Sequence, residues 1–227
     1  MSYTYLDLTN EVLSRMNEVA LTDAGFGSAR GFQVQCKNAV NDAINYIDTS
    51  AFNWPFNHGT YTDLLVAGQT RYFIPPNAKS IDYDTFRLVG DPSLGVTGSK
   101  LVILAYKEYV TRFINQEDEI GKGAVPRRIV RTPDNNFLLY PYPDKAYSIK
   151  YDYVYKPLPL ASPLDVPFIP EIHRQVIADG ATAYSYQFRG ELEQYEANWA
   201  RFEAGITDMR TLLSNNYPYV RSTVVTY

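Results

Sequence analysis

Residues 192–213 read LEQYEANWARFEAGITDMRTLL, and within them Leu192, Tyr195, Trp199, Phe202, Ile206, Met209 and Leu213 fall at alternating steps of three and four. A strand would send these side chains to opposite faces, whereas a helix gathers all seven into one stripe. Upstream, Ile172, Val176, Ile177, Ala183, Tyr184 and Phe188 form a second helical stripe entered through Pro170. Proline suits the first helical turn, because its missing N–H would have no partner there. Between the two stripes Arg189-Gly190-Glu191 is short, and its glycine lets the chain reverse. The stretch predicts an antiparallel helical hairpin with a core centred on Trp199 and Phe202. Its apolar seam has to be covered by another part of the chain.

That cover is expected at the other end of the sequence. Leu6, Thr9, Leu13, Met16 and Ala20 carry helical spacing, with Thr4 as N-cap and Asp7 near the positive helix end. Gly25, Gly27 and Gly31 mark residues 22–31 as a loop. A second helix presents Cys36, Val40, Ala43 or Ile44, Ile47 and Ala51, and ends at Trp54-Pro55. Then the period changes. Residues 61–66 and 70–74 flank a short turn at Ala67-Gly68-Gln69 and read as a hairpin. Residues 81–89, 100–105, 127–131, 137–140 and 147–155 continue as short strands, and 106–115 reads as strand or helix. Nine of the 14 prolines lie between Pro126 and Pro170, which makes residues 158–169 an extended connector back to the helices. The expected fold is therefore α+β. Residues 1–56 and 157–213 form a discontinuous helical bundle, 57–156 an inserted antiparallel β-sandwich or barrel-like module, and 214–227 an extended tail.

Composition narrows the function classes. The formal net charge is −4 with both signs interspersed, which argues against a dedicated nucleic-acid binder. Cys36 is the sole cysteine, so a disulfide within the chain and a multi-cysteine zinc site are excluded. No secretory leader and no apolar run of about 18 residues is visible, so a soluble protein made in the cytoplasm is expected. The 20 tyrosines suit half-exposed sheet faces, subunit contacts or a saccharide surface.

No catalytic constellation emerges. His58 and His173 are far apart in sequence, His173 in a first helical turn with an expected surface or interface role. Gly95-Val96-Thr97-Gly98-Ser99-Lys100 has the wrong order for a phosphate loop, which ends Gly-Lys-Ser/Thr before a helix. Asp82 and Asp84 would share the wet face of a strand, and Glu117-Asp118-Glu119 reads as a solvated loop. Arg127 and Arg131 should share one strand face and Arg128 the other, so no basic strip forms. Catalytic, metal and cofactor residues are all expected to be none.

Gly68-Gln69-Thr70-Arg71-Tyr72-Phe73-Ile74-Pro75 resembles the hairpin of phage head-to-tail adaptors, the tail tubular protein A class of short-tailed phages. Phe137-Leu138-Leu139-Tyr140-Pro141-Tyr142-Pro143-Asp144 is similar to a later segment of that family. It is followed, as there, by a strand and by Pro157-Leu158-Pro159-Leu160. The opening helix from Tyr5 to Leu13, and the closing helix with Trp199, Phe202 and Met209-Arg210, fit too. The resemblance implies a virion neck component, a homo-oligomeric ring of twelve subunits between portal protein and tail tube or nozzle protein. Helices would form the ring body and the β-module would project towards the tail. It implies no enzyme activity, no cofactor, no membrane, and DNA passing through without sequence-specific binding. Glu193, Glu196, Arg201 and Glu203 would then face neighbours or the channel. The tail carries Tyr217, Tyr219, Val220, Arg221, Val224, Val225 and Tyr227 with one charge. It is expected to dock on the portal or a neighbouring subunit by strand addition, the alternative being that it folds back on its own subunit. A carbohydrate-binding or tail-fibre-like module, and a tail-associated cell-wall hydrolase using Glu171 or Glu191, are the competing classes.

Overall fold

The structure is a computed structural model describing residues 3–50, 52–117 and 121–214, Gln116 by its backbone alone. It is a mixed α+β fold, and the chain divides into two units. One unit holds the residues up to Phe56 and those from Pro157 on; the other is Asn57–Lys156.

The first unit is helical, with α1 (Tyr5–Arg15), α2 (Asp23–Phe26), α3 (Phe32–Thr49), α5 (Arg174–Arg189) and α6 (Leu192–Ser214). Thr4 caps α1: its hydroxyl accepts from the Asp7 N–H at 3.2 Å, and the Thr4 N–H donates back to the Asp7 carboxylate at 2.9 Å. The helix stops short of the expected Ala20. Asn17 turns left-handed at φ 56°, and the Asn17 and Glu18 N–H groups donate back to the Ser14 and Leu13 carbonyls. Asn10 then holds the following loop through two hydrogen bonds to the Leu21 backbone, and the expected loop at 22–31 contains the one-turn α2. Leu8, Val12 and Leu13 of α1 share one core with Cys36, Val40, Ala43 and Ile47 of α3, Ile177 and Ala181 of α5, and Phe202, Ile206 and Met209 of α6. Trp54 is buried there, its indole N–H donating to the Ile47 carbonyl at 2.7 Å. Ala51 of the expected face lies outside the described residues.

The helical hairpin differs from its expected seam. Ile172 and Phe188 are 79% and 60% exposed, and Leu192 is exposed as well. The buried face of α5 keeps Ile177 and Ala183 of the expected stripe and adds the small residues Ala178, Gly180, Ala181, Thr182 and Ser185. Phe202, Ile206 and Met209 of the expected α6 stripe are buried as well. Gly180 lets α6 approach closely, and a Cβ there would lie 2.7 Å from the Phe202 ring. Trp199 is not core but half-buried, in ring contact with Tyr46, Tyr184, Tyr195 and Phe202 at the rim. The reversal between α5 and α6 uses Gly190 at φ 78°. His173 is buried rather than superficial, and burial lowers its pKa.

The second unit holds eight strands and α4 (Tyr106–Arg112). The strands are β1 (His58–Leu64), β2 (Arg71–Tyr72), β3 (Ala78–Leu88), β4 (Ser99–Lys100), β5 (Val102–Leu104), β6 (Arg128–Arg131), β7 (Phe137–Tyr140) and β8 (Ser148–Tyr155). They form two four-stranded sheets, β1-β8-β3-β4 and β2-β7-β6-β5, and no closed barrel among the described residues. The expected hairpin at 61–74 is a corner between sheets: β1 pairs with β8, and β2 with β7. Tyr72 explains the corner, because its buried ring enters the core while its hydroxyl bonds the Val66 and Gln69 backbone, closing the turn. The module is not wholly antiparallel either. β5 and β6 run parallel, which requires a crossover, and α4 lies in that connection. Phe86, Ile149 and Tyr151 from one sheet meet Tyr72, Ile129, Phe137 and Leu139 from the other, with Phe86 and Tyr151 stacked at 4.3 Å. On the outer side of the second sheet, Tyr109 and Phe113 cover Val130, Leu138 and Tyr140.

Candidate interaction surfaces

The residues considered for chemistry are dispersed. His58 lies exposed on β1, whereas His173 is buried in the helical unit. Glu171 and Glu191 are exposed. Asp82 and Asp84 project to the wet side; the Asp82 carboxylate accepts from the Asp84 N–H at 3.0 Å, which shapes the turn in β3. Glu117 is not a solvated loop residue: it accepts from the Tyr109 hydroxyl at 2.6 Å and pairs with Arg71 at 3.2 Å. Burial and that carboxylate together push the Tyr109 hydroxyl well above its ordinary range. Asp118 and Glu119 lie outside the described residues. Arg128 stacks over Phe113 and Arg131 over Tyr83, on opposite sides of β6. After Gly95 comes the short strand β4, not the helix a phosphate loop needs. Among the described residues no three His, Cys, Asp or Glu side chains could together hold a metal ion.

Many tyrosines are consumed by the interior. Tyr3, Tyr5, Tyr72, Tyr109, Tyr147 and Tyr151 are all buried. Tyr5 donates to the Lys37 carbonyl, and burial raises its pKa to about 12. Tyr61, Tyr153 and Tyr155 form a half-exposed row on the first sheet, and the Tyr153 and Tyr155 rings lie 3.6 Å from the place a Cβ would take at Gly59.

What the chain presents is contact surface. The connector between β8 and α5 is pinned by its backbone: Asn41 bonds both polar groups of Leu160, and Tyr5 and Leu6 donate to the Asp165 and Pro163 carbonyls. The Ala161 and Ser162 N–H groups donate to the Asp165 carboxylate and hold its pKa low. Ile169 and Leu160 turn into the helical core, whereas Leu158, 84% exposed, Leu164, 67% exposed, and Phe168 stay out. Exposed apolar residues gathered on one segment make it a candidate interaction surface. Sequence reasoning missed this one, although leucines, a valine and a phenylalanine in a proline-rich linker were the available signal. On α6, Glu193, Glu196 and Arg201 are exposed, whereas Glu203 accepts from the Tyr46 hydroxyl at 2.7 Å and so serves its own subunit.

The sheet unit offers an edge. β1 pairs with β8 over seven consecutive residues without a bulge, and nothing pairs on its other side among the described residues. It holds no proline and no lysine, and Tyr61 and Leu64 are exposed. Natural edge strands are usually guarded by such residues or kept short. The other edges, β2, β4 and β5, are two or three residues long. The expected docking residues Tyr217, Tyr219, Val220, Arg221, Val224, Val225 and Tyr227 lie outside the described residues.

The family model described as SU10 adaptor protein matches residues 3–224, which takes in both units. No curated protein matches the chain. The chain belongs to the SU10 adaptor protein family: it is a bacteriophage adaptor, a structural component of the virion.

Proposed function

We propose that this member of the adaptor family forms a twelve-membered ring in the virion neck, as in the tail tubular protein A class. The portal protein lies on one side, the tail tube or nozzle protein on the other, and DNA passes through. The observation that carries this reading is the family match across nearly the whole chain, since both units are then parts of one adaptor. The exposed connector and the open β1 edge support it, because a ring subunit needs contacts on more than one side. We assign the ring body to the helical unit and the tail-facing side to the sheet unit. The role needs neither catalytic group nor cofactor. No described helix is long and apolar enough to cross a membrane. The net charge of −4 suits a channel that lets a duplex slide, because a lining that repels phosphates does not grip them. In this reading the particle is assembled in the host cytoplasm and the C-terminal tail is a docking segment.

Electron cryomicroscopy of particles with and without this chain tests the proposal. Wild-type particles are expected to show twelve copies between portal and tail, and particles lacking the chain to show filled heads without tails. Density for this chain anywhere other than the neck would overturn the reading, and another copy number would overturn the twelve.

A further inference from the structure

We propose that residues 220–227 of one copy add as an antiparallel strand to the outer edge of β1 in the next copy. The inference rests on the ring reading for its direction, from copy to copy. Its physical content is a match between an edge and a segment. The edge is the long β1, with seven residues ready to pair and a single charge on its inner side, Asp63, which is opposite the buried Ile149. The segment reads Val220-Arg221-Ser222-Thr223-Val224-Val225-Thr226-Tyr227, rich in the β-branched and aromatic types that favour strands. Eight extended residues span roughly 26 Å and seven about 23 Å, so the two lengths agree.

Charge selects the register. Apart from His58, Asp63 is the one ionisable side chain on β1 outside its tyrosine, and Arg221 is the one charge of the tail. Asp63 makes no ion pair among the described residues, its partner at hand being the Leu64 N–H at 2.9 Å. Burial raises its pKa, a sign that its charged form lacks compensation. Antiparallel pairing of Asp63 with Arg221 sets Leu64 against Val220, Thr62 against Ser222, Thr60 against Val224 and His58 against Thr226. The exposed Leu64 then gains an apolar neighbour, Asp63 gains its cation, and Tyr61 is covered from the open side. Edge and segment are both present in every copy but are different surfaces. The contact is therefore heterologous, repeating head to tail until a ring closes.

Disulfide trapping in assembled particles tests this. A chain carrying Thr60→Cys, Val224→Cys and Cys36→Ala is built into particles, oxidised and run on a non-reducing gel. The expected result is a ladder of covalent multiples of the chain. A cyclised single chain would mean the tail pairs with its own β1, and uncrosslinked chain in a normal neck would mean it lodges elsewhere, on the portal for instance; either overturns the inference. Charge exchange gives a second readout without cysteines. Asp63→Arg alone and Arg221→Asp alone should each reduce incorporation at least tenfold, and the pair together should restore it. Two single variants that incorporate normally would also overturn the contact. Wild-type particles with this chain outside the neck would instead defeat the ring reading, and trapping in concentrated purified protein then decides the strand contact by itself.

Discussion

Gly180 lies under the Phe202 ring, so close that an added methyl would sit 2.7 Å away. Ring atoms on a buried helix cannot retreat far, so Gly180→Ala should cost about 1–3 kcal/mol by overpacking, despite alanine's better helix propensity. Adding Phe202→Leu should recover most of that loss, because it removes the far edge of the ring; urea midpoints read by Trp199 fluorescence decide. Phe202→Ala alone should cost about 3–5 kcal/mol. Trp199→Ala should cost less, since the indole is half-buried at the rim. His173 sets a pH dependence of definite sign. Its folded pKa lies below the ordinary 6.5 because burial disfavours the cation. The unfolded chain therefore takes up the proton first, and stability is full above pH 6.5 and falls as the pH drops towards the folded value. His173→Gln should flatten unfolding midpoints between pH 7 and 5; an unchanged slope would assign it to other groups.

At the scale of elements, the cap of α1 is a local device with a measurable share. Thr4→Ala should destabilise the helical unit by about 1 kcal/mol, read from thermal unfolding. The Thr4 hydrogen bonds hold Asp7 below its ordinary carboxylate range. The share that the Thr4 hydroxyl gives the carboxylate is present above the unfolded pKa and lost as the pH falls through the folded one. The gap between wild type and variant should therefore narrow in acid without closing, because the hydroxyl still accepts from the Asp7 N–H. This element was legible because Thr4, Asp7 and the Leu8, Val12, Leu13 face are all local signals. Its end was missed although Asn17 was the available signal, since asparagine is the residue after glycine that most readily turns left-handed at a helix end. The hairpin of α5 and α6 shows a different limit. Helical spacing identified both helices, and Ile177, Phe202, Ile206 and Met209 of the two stripes do pack, whereas Ile172, Phe188 and Leu192 at their ends stay exposed. Gly180 lies against Phe202 of α6 because a residue without a side chain lets the backbones approach, and a hydrophobic period does not count glycine. The strands were found with usable bounds, but their partners were not. Pairing is a non-local choice, and Tyr72 turning into the core decided that residues 58–64 and 71–72 belong to different sheets. Of the proposed contact surfaces, the tail could be suggested from its own composition. The β1 edge could not, because an edge exists only once the order of strands is known.

At the scale of the whole chain, the insertion makes a prediction about autonomy. His58 at the start of β1 pairs with Val154 near the end of β8, so the unit Asn57–Lys156 begins and ends on neighbouring strands about 5 Å apart. Its core, from Leu65 to Tyr151, is drawn entirely from its own residues. A domain of this size buries enough surface to fold without staples. Residues 57–156 produced alone should therefore give a cooperative thermal transition and dispersed amide NMR signals. The complementary chain, with 57–156 replaced by a short Gly-Ser linker, should keep its helical circular dichroism, because α1, α3, α5 and α6 supply one another's cover. A molten sheet fragment beside a folded helical remainder would show that the insertion needs its host. The reverse result would show that the helices need the sheets to hold their ends together. If both pieces fold, each can be offered separately to portal rings and to tails, and the piece that binds each partner identifies which unit faces it.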